Sequence, residues 1–168
     1  QRAIGDIVVT DETPKQLPIL EQRRIEAEVI KPIHAEMVAQ LGKEKADQIL
    51  GTAIEKAAIA QAQGFAQRDD VETDLNGFVD IMKYWTASGA LELEVIDRTE
   101  TSFDFNIVRC KYSEMYKSMG LGDIGHLLSC NRDGAFCTGF NPQLKLERTQ
   151  TLMGGASHCD FRYTFEGD

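Results

Sequence analysis

The hydrophobic period of this chain changes from near 3.6 to 2 at Gly89, and that switch constrains its fold more than any other feature. Before it, apolar residues recur three or four positions apart, the spacing of one helical face; after it they alternate, the spacing of one face of a strand. Helices gathered in one half and strands in the other predict an α+β fold rather than alternating βαβ units. At 168 residues the chain fits a single domain. Within it we expect an irregular arm over 1–14, a helical half over 15–88 and a sheet half over 89–168 that carries the functional residues.

The arm ends at Thr13-Pro14 and holds one short apolar run, Ile7-Val8-Val9, suited to an edge strand. From Lys15 to Leu41, the residues Ile25, Val29, Ile33, Met37 and Leu41 recur four apart and predict one buried helical face. Pro32 removes a backbone donor and crowds the preceding turn, so a kink or break is expected near Ile30, with Gly42 closing the helix. A second helix is predicted from Lys43 to Ala66, with Ile49, Ala53, Ile54 and Ala57 inward. A third runs from Asp70 to Ala87, with Val71, Leu75, Phe78, Met82 and Trp85 on one face. Trp85 is assigned to the core, and His34 to packing. The acidic residues Asp69, Asp70, Glu72 and Asp74 complement the positive end of the third helix rather than form a calcium site.

Beyond Gly89, Leu91, Leu93 and Val95 alternate with Glu92 and Glu94, and Phe103, Phe105 and Ile107 alternate with Asp104 and Asn106. The short polar stretch from Asp97 to Thr101 joins them as an antiparallel hairpin. Short helices follow from Tyr112 to Met119 and from Asp123 through Asn131, after which Gly134, Gly139 and Pro142 predict a loop. Two last strands, 144–153 and 157–166, turn at Gly154-Gly155. The expected architecture is α+β, with N-terminal helices packed on a four-stranded antiparallel sheet and short helices between its two hairpins.

A formal net charge of -9, with Lys and Arg dispersed, opposes binding to a nucleic-acid backbone. No apolar stretch approaches the ~20 residues that span a bilayer. Neither nucleic acid nor membrane is therefore an expected partner. The cysteines Cys110, Cys130, Cys137 and Cys159 form no CxxC pair and no zinc-ribbon spacing, which fits a reduced cytoplasmic setting. No apolar h-region follows Gln1, so nothing in the sequence supports secretion. Gly120-x-Gly122-x-x-Gly125 matches a dinucleotide fingerprint in letters only, because no βαβ unit surrounds it.

Chemistry-bearing residues concentrate near the C-terminus. Cys130-Asn131-Arg132-Asp133 and then Ser157 through Tyr163 bring together thiols, carboxylates, an imidazole and guanidiniums, side chains that contribute little to an apolar core. In the final strand, alternation places Cys159, Phe161, Tyr163 and Phe165 on one face and His158, Asp160, Arg162 and Thr164 on the other. The helices are expected to cover the aromatic face, which sets Cys159 at the floor of a pocket between helices and sheet. His158, Asp160 and Arg162 then lean toward solvent or a partner chain. The spacing of Cys130 and Asp133 puts thiol and carboxylate on neighbouring positions of one helical face. A carboxylate raises a neighbouring thiol's pKa, so His126, Arg109 and Arg132 are better candidates to activate Cys130. The alternative makes Cys130 a small buried hydrophobe behind Leu127 and Leu128.

The runs Arg109-Cys110-Lys111-Tyr112-Ser113-Glu114-Met115-Tyr116, Leu127-Leu128-Ser129-Cys130-Asn131-Arg132-Asp133, Gly139-Phe140-Asn141-Pro142, Arg148-Thr149-Gln150-Thr151-Leu152-Met153 and Gly155-Ala156-Ser157-His158-Cys159-Asp160-Phe161-Arg162-Tyr163 carry a resemblance. Together they resemble the L-2-amino-thiazoline-4-carboxylic acid hydrolase family. That resemblance implies an enzyme that opens a 2-aminothiazoline ring to N-carbamoyl-L-cysteine, a step toward cysteine. The late Gly155-x-x-x-Cys159-x-Phe161 strand is also similar, more faintly, to small-molecule-binding domains of the 4-vinyl reductase type, which implies a sensor without turnover.

Ring opening adds water at the amidine-like C2 and expels the ring sulfur. It therefore needs a nucleophile, a proton donor, an anion for the amidinium and a cation for the carboxylate. On the resemblance, Cys130 or Cys159 serves as nucleophile, Asp133 as amidinium anchor or base, and His158 or His126 as proton shuttle. Arg109 or Arg162 meets the carboxylate, with Asp160 beside them among the substrate-binding residues. Zinc is the mechanistic rival, since Cys130, Asp133, His158 and Cys159 are acceptable ligands, although His158 and Cys159 point to opposite faces. No other cofactor is expected. The partner is a small-molecule substrate, and a homo-oligomer would cover the second face of the sheet.

Overall fold

A computed structural model describes residues 16–167, so the arm over 1–14 and its Ile7-Val8-Val9 run lie outside the described residues. Two long helices lead, α1 (Ile19–Leu41) and α2 (Lys43–Ala66). Only Gly42 separates them. Its φ of 81° is a left-handed conformation that glycine adopts without strain, and its N–H closes α1 on Val38 O at 2.9 Å. Pro32 neither breaks nor ends α1. It sits on the exposed side, where water can reach the carbonyl its missing N–H leaves free. His34 pairs with Asp47 at 2.7 Å across the two helices, as a packing histidine.

The buried faces of both helices differ from those the apolar spacing predicts. Ile25, Val29, Ile33 and Leu41 are 44, 58, 53 and 52 % exposed, and α1 turns Ile19, Arg23 and Ala27 inward instead. In α2 the buried set is Ala46, Leu50, Gly51, Ile54, Ala58 and Ala62, so Ile54 points inward as expected while Ile49, Ala53 and Ala57 are exposed. A four-residue period draws more than one ridge on an alanine-rich helix. Which ridge is buried is set by the helices that each one packs against.

The expected third helix is shorter and divided. It comprises α3 (Leu75–Ile81), α4 (Lys83–Thr86) and a 3-10 turn at Ala87–Gly89. Asp74 caps α3 by accepting from Gly77 N–H at 2.8 Å. The acidic residues before it form a turn, in which Arg68 binds Asp70 at 2.7 Å.

The sheet comprises β1 (Leu91–Arg98), β2 (Ser102–Cys110), β3 (Leu144–Glu147) and β4 (Cys159–Phe165), all antiparallel in the order β1-β2-β4-β3. Between its hairpins lie α5 (Lys111–Ser118), a wide π-helical turn (His126–Cys130) and α6 (Asn131–Phe140). Register pairs Phe103 with Tyr163, Phe105 with Phe161 and Ile107 with Cys159. All six are buried against the helical layer, and the Phe105 and Phe161 rings stack at 5.2 Å. No helix among the described residues is long and apolar enough to cross a membrane.

Two expectations about the C-terminal half are corrected. Gly134 and Gly139 do not force a loop, because α6 continues to Phe140. Gly139 sits where α6 meets α2, and a Cβ there would stand 2.3 Å from Ile59 O, so the glycine serves helix contact rather than chain reversal. The last strands are also shorter than 144–153 and 157–166. Between Glu147 and Cys159 the chain leaves the ladder, since side chains take up its amides: Asp160 accepts from the N–H of Thr149 and Gln150, and Cys159 Sγ accepts from that of Leu152.

Candidate functional site

The wide turn before α6 holds more residues per turn than an α-helix, and α6 leaves it with Arg132 and Asp133 aimed at the sheet. On the opposite wall, β4 presents Cys159 and Phe161. Between them lie two cavities of 80 and 70 Å³ that share Trp85, Arg132, Asp133 and Phe161 in their walls. One extends toward Phe105, Phe136 and Tyr163, and the other toward Cys110, Cys130, Arg148 and Cys159. Asp133 stands where the aromatic end meets the thiol end. A buried water needs roughly 10–15 Å³ of such space, so each cavity suits a few waters or part of a small ring. A larger groove of 490 Å³ between the start of α1 and the end of α2 is lined by no thiol, carboxylate or imidazole, so the candidate site is the pair of smaller cavities.

Electrostatics centre on one ion pair. Arg148 Nη1 donates to Asp133 Oδ2 at 2.5 Å, its Nη2 donates to Cys130 O at 2.9 Å, and its guanidinium lies 5.0 Å from the Phe161 ring centroid. About a third of the Asp133 side chain is accessible, and it lines both cavities. Burial pushes its carboxyl above the usual range, against the opposing pull of Arg148 and Arg132. Burial lowers Arg148, but the Asp133 charge outweighs it and holds the guanidinium protonated.

The same burial governs the thiols. It pushes Cys130 up to about 12, reinforced by Asp133, and Cys110 up to about 11. Cys159 is also raised, by burial, despite the Leu152 N–H and Arg148. Cys137 lies behind α6, donating to Asp133 O at 3.4 Å, and is pushed up to about 12. All four cysteines are unpaired, and at neutral pH they are thiols, not thiolates.

Toward the helical side the cavities end at two more arginines. Arg23 donates to both Glu26 carboxylate oxygens at 2.8 and 3.0 Å and to Gln61 Oε1 at 2.8 Å. Arg132 donates to Leu128 O at 2.8 Å and to Glu26 Oε2 at 3.3 Å.

Of the nine residues singled out in the sequence, four meet here: Cys130, Arg132, Asp133 and Cys159. The other five lie elsewhere. His158 stands in the outer loop, with Nδ1 2.9 Å from Ser157 Oγ and its carbonyl bound by Gln150. Asp160 anchors that loop; burial favours its neutral form, but hydrogen bonds from Thr149 and Gln150 prevail and hold its pKa near about 2. Arg162 donates to the carbonyls of Phe105 and Phe161 and to Asn106 on the sheet face turned away from the helices. Arg109 is exposed between Glu92 and Glu114, and His126 is exposed at the start of the wide turn. The zinc set of Cys130, Asp133, His158 and Cys159 is not assembled: among the described residues, no group of three or more His, Cys, Asp or Glu is placed to hold a metal ion.

Sequence reasoning passed over Arg23, Arg148, Cys110 and the cavity-facing side of Trp85. Arg23 left a usable signal, a lone charge spaced four from Ile19 and from Ala27 on the buried face of α1. Arg148 left a weaker one, following directly on the alternating Leu144-Lys145-Leu146-Glu147 strand.

Comparison with known proteins gives the chain a family and its fold a likeness. The profile of the L-2-amino-thiazoline-4-carboxylic acid hydrolase family matches residues 22–163. Among solved structures, the phenol-responsive sensory domain of the transcription activator PoxR, bound to phenol, is similar at 11% identity and a TM-score of 0.51, over 82% of this chain and 73% of that one. Trafficking protein particle complex subunit 3 from Naegleria fowleri, covalently bound to palmitic acid, is similar at 8% identity and a TM-score of 0.50, over 86% of this chain and 97% of that one. At such identities the likeness is one of fold. No curated protein matches the chain in sequence.

Proposed function

Because the chain belongs to the L-2-amino-thiazoline-4-carboxylic acid hydrolase family, we propose that it hydrolyses a small cyclic amidine of the 2-aminothiazoline type inside the paired cavities. The observation that carries this reading is Asp133, a carboxylate held by Arg148 at the junction of an aromatic pocket and a thiol-lined one. Aromatic walls from Trp85, Phe105 and Phe161 suit a flat ring, and a buried carboxylate suits an amidinium.

In the proposed reaction Asp133 takes a proton from water as the hydroxyl adds to ring C2. The bond from C2 to sulfur then breaks as the added hydroxyl becomes the carbamoyl oxygen and its proton passes to the former ring nitrogen, and the protonated carboxyl returns its proton to the leaving sulfur. One water is consumed; the product carries a carbamoyl group and a free thiol. A carboxyl raised by burial is suited to both steps, since it gains a proton readily and gives it back to a thiolate. Arg148 fixes the direction in which Asp133 points. The thiolate nucleophile expected from the sequence finds no support in this environment: Cys130 and Cys159 line the ring's path as neutral thiols. Four unpaired cysteines accord with a reducing, cytoplasmic setting as part of the same proposal.

Binding without turnover is the second reading, favoured by the aromatic lining of the cavities and by the shared fold with a phenol-responsive sensory domain. Incubation with L-2-amino-thiazoline-4-carboxylate separates the two. Hydrolysis yields N-carbamoyl-L-cysteine, measured by mass spectrometry, in large molar excess over the protein, and loses it in Asp133→Asn. A rise in melting temperature with no product favours the binding module.

A further inference from the structure

Three guanidiniums line the enclosed site, and two carboxylates face them. Asp133 is committed to Arg148. Glu26 is therefore the carboxylate that hydrogen-bonds to both Arg23 and Arg132, whose side chains are only 6 and 12 % exposed, while Asp133 reaches Arg132 through charge alone. The bonds are unequal: Glu26 grips Arg23 at 2.8 and 3.0 Å but reaches Arg132 only at 3.3 Å. Burial, together with repulsion from Arg23, pulls Arg132 down to about 10, the mark of a cation short of counter-charge. The other titratable side chains facing this region, Tyr112, Tyr116 and the thiols, are held neutral by burial and supply no anion.

Position adds a second observation. An outer cleft of 310 Å³ between α1, α2 and α6 is lined by Arg23, Glu26, Gln61 and Arg132. Arg23 and Arg132 also line both inner cavities, whereas Glu26 lines only the outer cleft. The two arginines are thus the partition between outside and inside, and Glu26 rests against its outer surface.

From this we infer that Arg23 and Arg132 form a carboxylate clamp at the mouth of the site, and that Glu26 occupies it until the carboxylate of an incoming ligand takes its place. The inference rests on the cavities being the ligand site and names the class of ligand, a small flat ring bearing one carboxylate. The ring enters the aromatic end while its carboxylate stays at the partition, held by two guanidiniums that are already ordered and largely desolvated. Neutral ring compounds such as phenols lack the group that displaces Glu26. Arg109 and Arg162 are too well occupied elsewhere to compete for this role.

The test uses the full chain and two probes without a hydrolysable amidine, thiazole-4-carboxylate and thiazole-4-carboxamide, with affinity measured by calorimetry. The carboxylate binds wild type at least about tenfold more tightly than the amide, Arg132→Gln abolishes that preference, and Glu26→Gln tightens the carboxylate several-fold by removing its competitor. Arg132→Lys, which keeps the charge, retains part of the preference and guards against a variant that simply misfolds. Equal affinity for the two probes in wild type, binding of neither, or a preference that survives in both Arg23→Gln and Arg132→Gln overturns the clamp. Because neither probe can be turned over, the result is independent of whether the aminothiazoline is hydrolysed.

Discussion

Arg148 and Asp133 meet at 2.5 Å with the Arg148 guanidinium stacked 5.0 Å from the centre of the Phe161 ring, so one ion pair joins the residue after β3, the first turn of α6 and the floor of β4. Helical layer and sheet are tied at the point where the chemistry is placed. Removing one member leaves the other charged in a low-dielectric site, which is costlier than removing both.

Asp133→Ala therefore destabilises the protein by about 3–5 kcal/mol in urea unfolding. The double variant with Arg148→Met recovers a large part of that loss, yet restores no hydrolysis. A double-mutant cycle combined with product analysis checks both statements. Recovery of turnover in the double variant would remove Asp133 from the reaction.

The thiols are predicted to be slow. With Cys110 held at about 11, roughly one molecule in ten thousand is thiolate at pH 7, and Cys130 has fewer still. Iodoacetamide at neutral pH modifies the folded protein far more slowly than a free cysteine. Cys130→Ser and Cys159→Ser each retain hydrolysis within about tenfold of wild type. Rapid alkylation of Cys130, or complete loss of turnover in a folded Cys130→Ser, points back to covalent catalysis.

Asp160 sets an acid limit on the outer loop. Its folded pKa, near about 2, lies below the ordinary 3.8, so its charge contributes stability that is complete above the ordinary value and is lost as pH falls through the depressed one. Amides of Thr149 and Gln150 show hydrogen-exchange protection at pH 6 that fades in acid. Asp160→Asn removes that acid dependence and leaves the loop less protected throughout.

Gly139→Ala forces a methyl to within 2.3 Å of the Ile59 carbonyl and 2.9 Å of Ala62 Cβ. Separating α2 from α6 costs about 1–3 kcal/mol, seen as a lower urea midpoint with an unchanged slope. Gly134→Ala meets nothing within 4 Å and is neutral or slightly stabilising, because alanine favours helix.

The apolar ridge of α1 contributes little to the folded chain by itself. Val29→Lys and Ile33→Lys change stability by no more than about 0.5 kcal/mol, whereas Ala27→Lys at the buried position is severely destabilising. A large loss at Val29 would mean that the ridge is covered in solution.

Legibility followed the range of the forces involved. The switch at Gly89 reported α+β correctly, because side-chain period is a local property that strands and helices impose directly. Alternation along β4 placed Cys159 on the covered face and Arg162 on the open one. Spacing also placed Cys130 and Asp133 together. What failed depended on partners distant in sequence. Which ridge of α1 and α2 is buried, why α6 runs through Gly139, and which cations reach Asp133 are set by how helices meet. Arg23 and Arg132, 109 positions apart, share Glu26 only in the folded chain. His158 and Asp160 were drawn into the site by residue type alone, although the strand pattern already turned them outward.

The wide turn at His126–Cys130 has a consequence for how this site can be lost. Each residue of a helix advances the azimuth by about 100°, so deleting one position there would swing Asp133 away from Phe161. Phe136 and Phe140, on the same helix, would leave the core with it. The angular phase that aims the chemistry is also the one that seats the aromatic packing. A length change in this stretch therefore disturbs the core together with the candidate site, whereas a substitution can alter the site and leave the architecture in place.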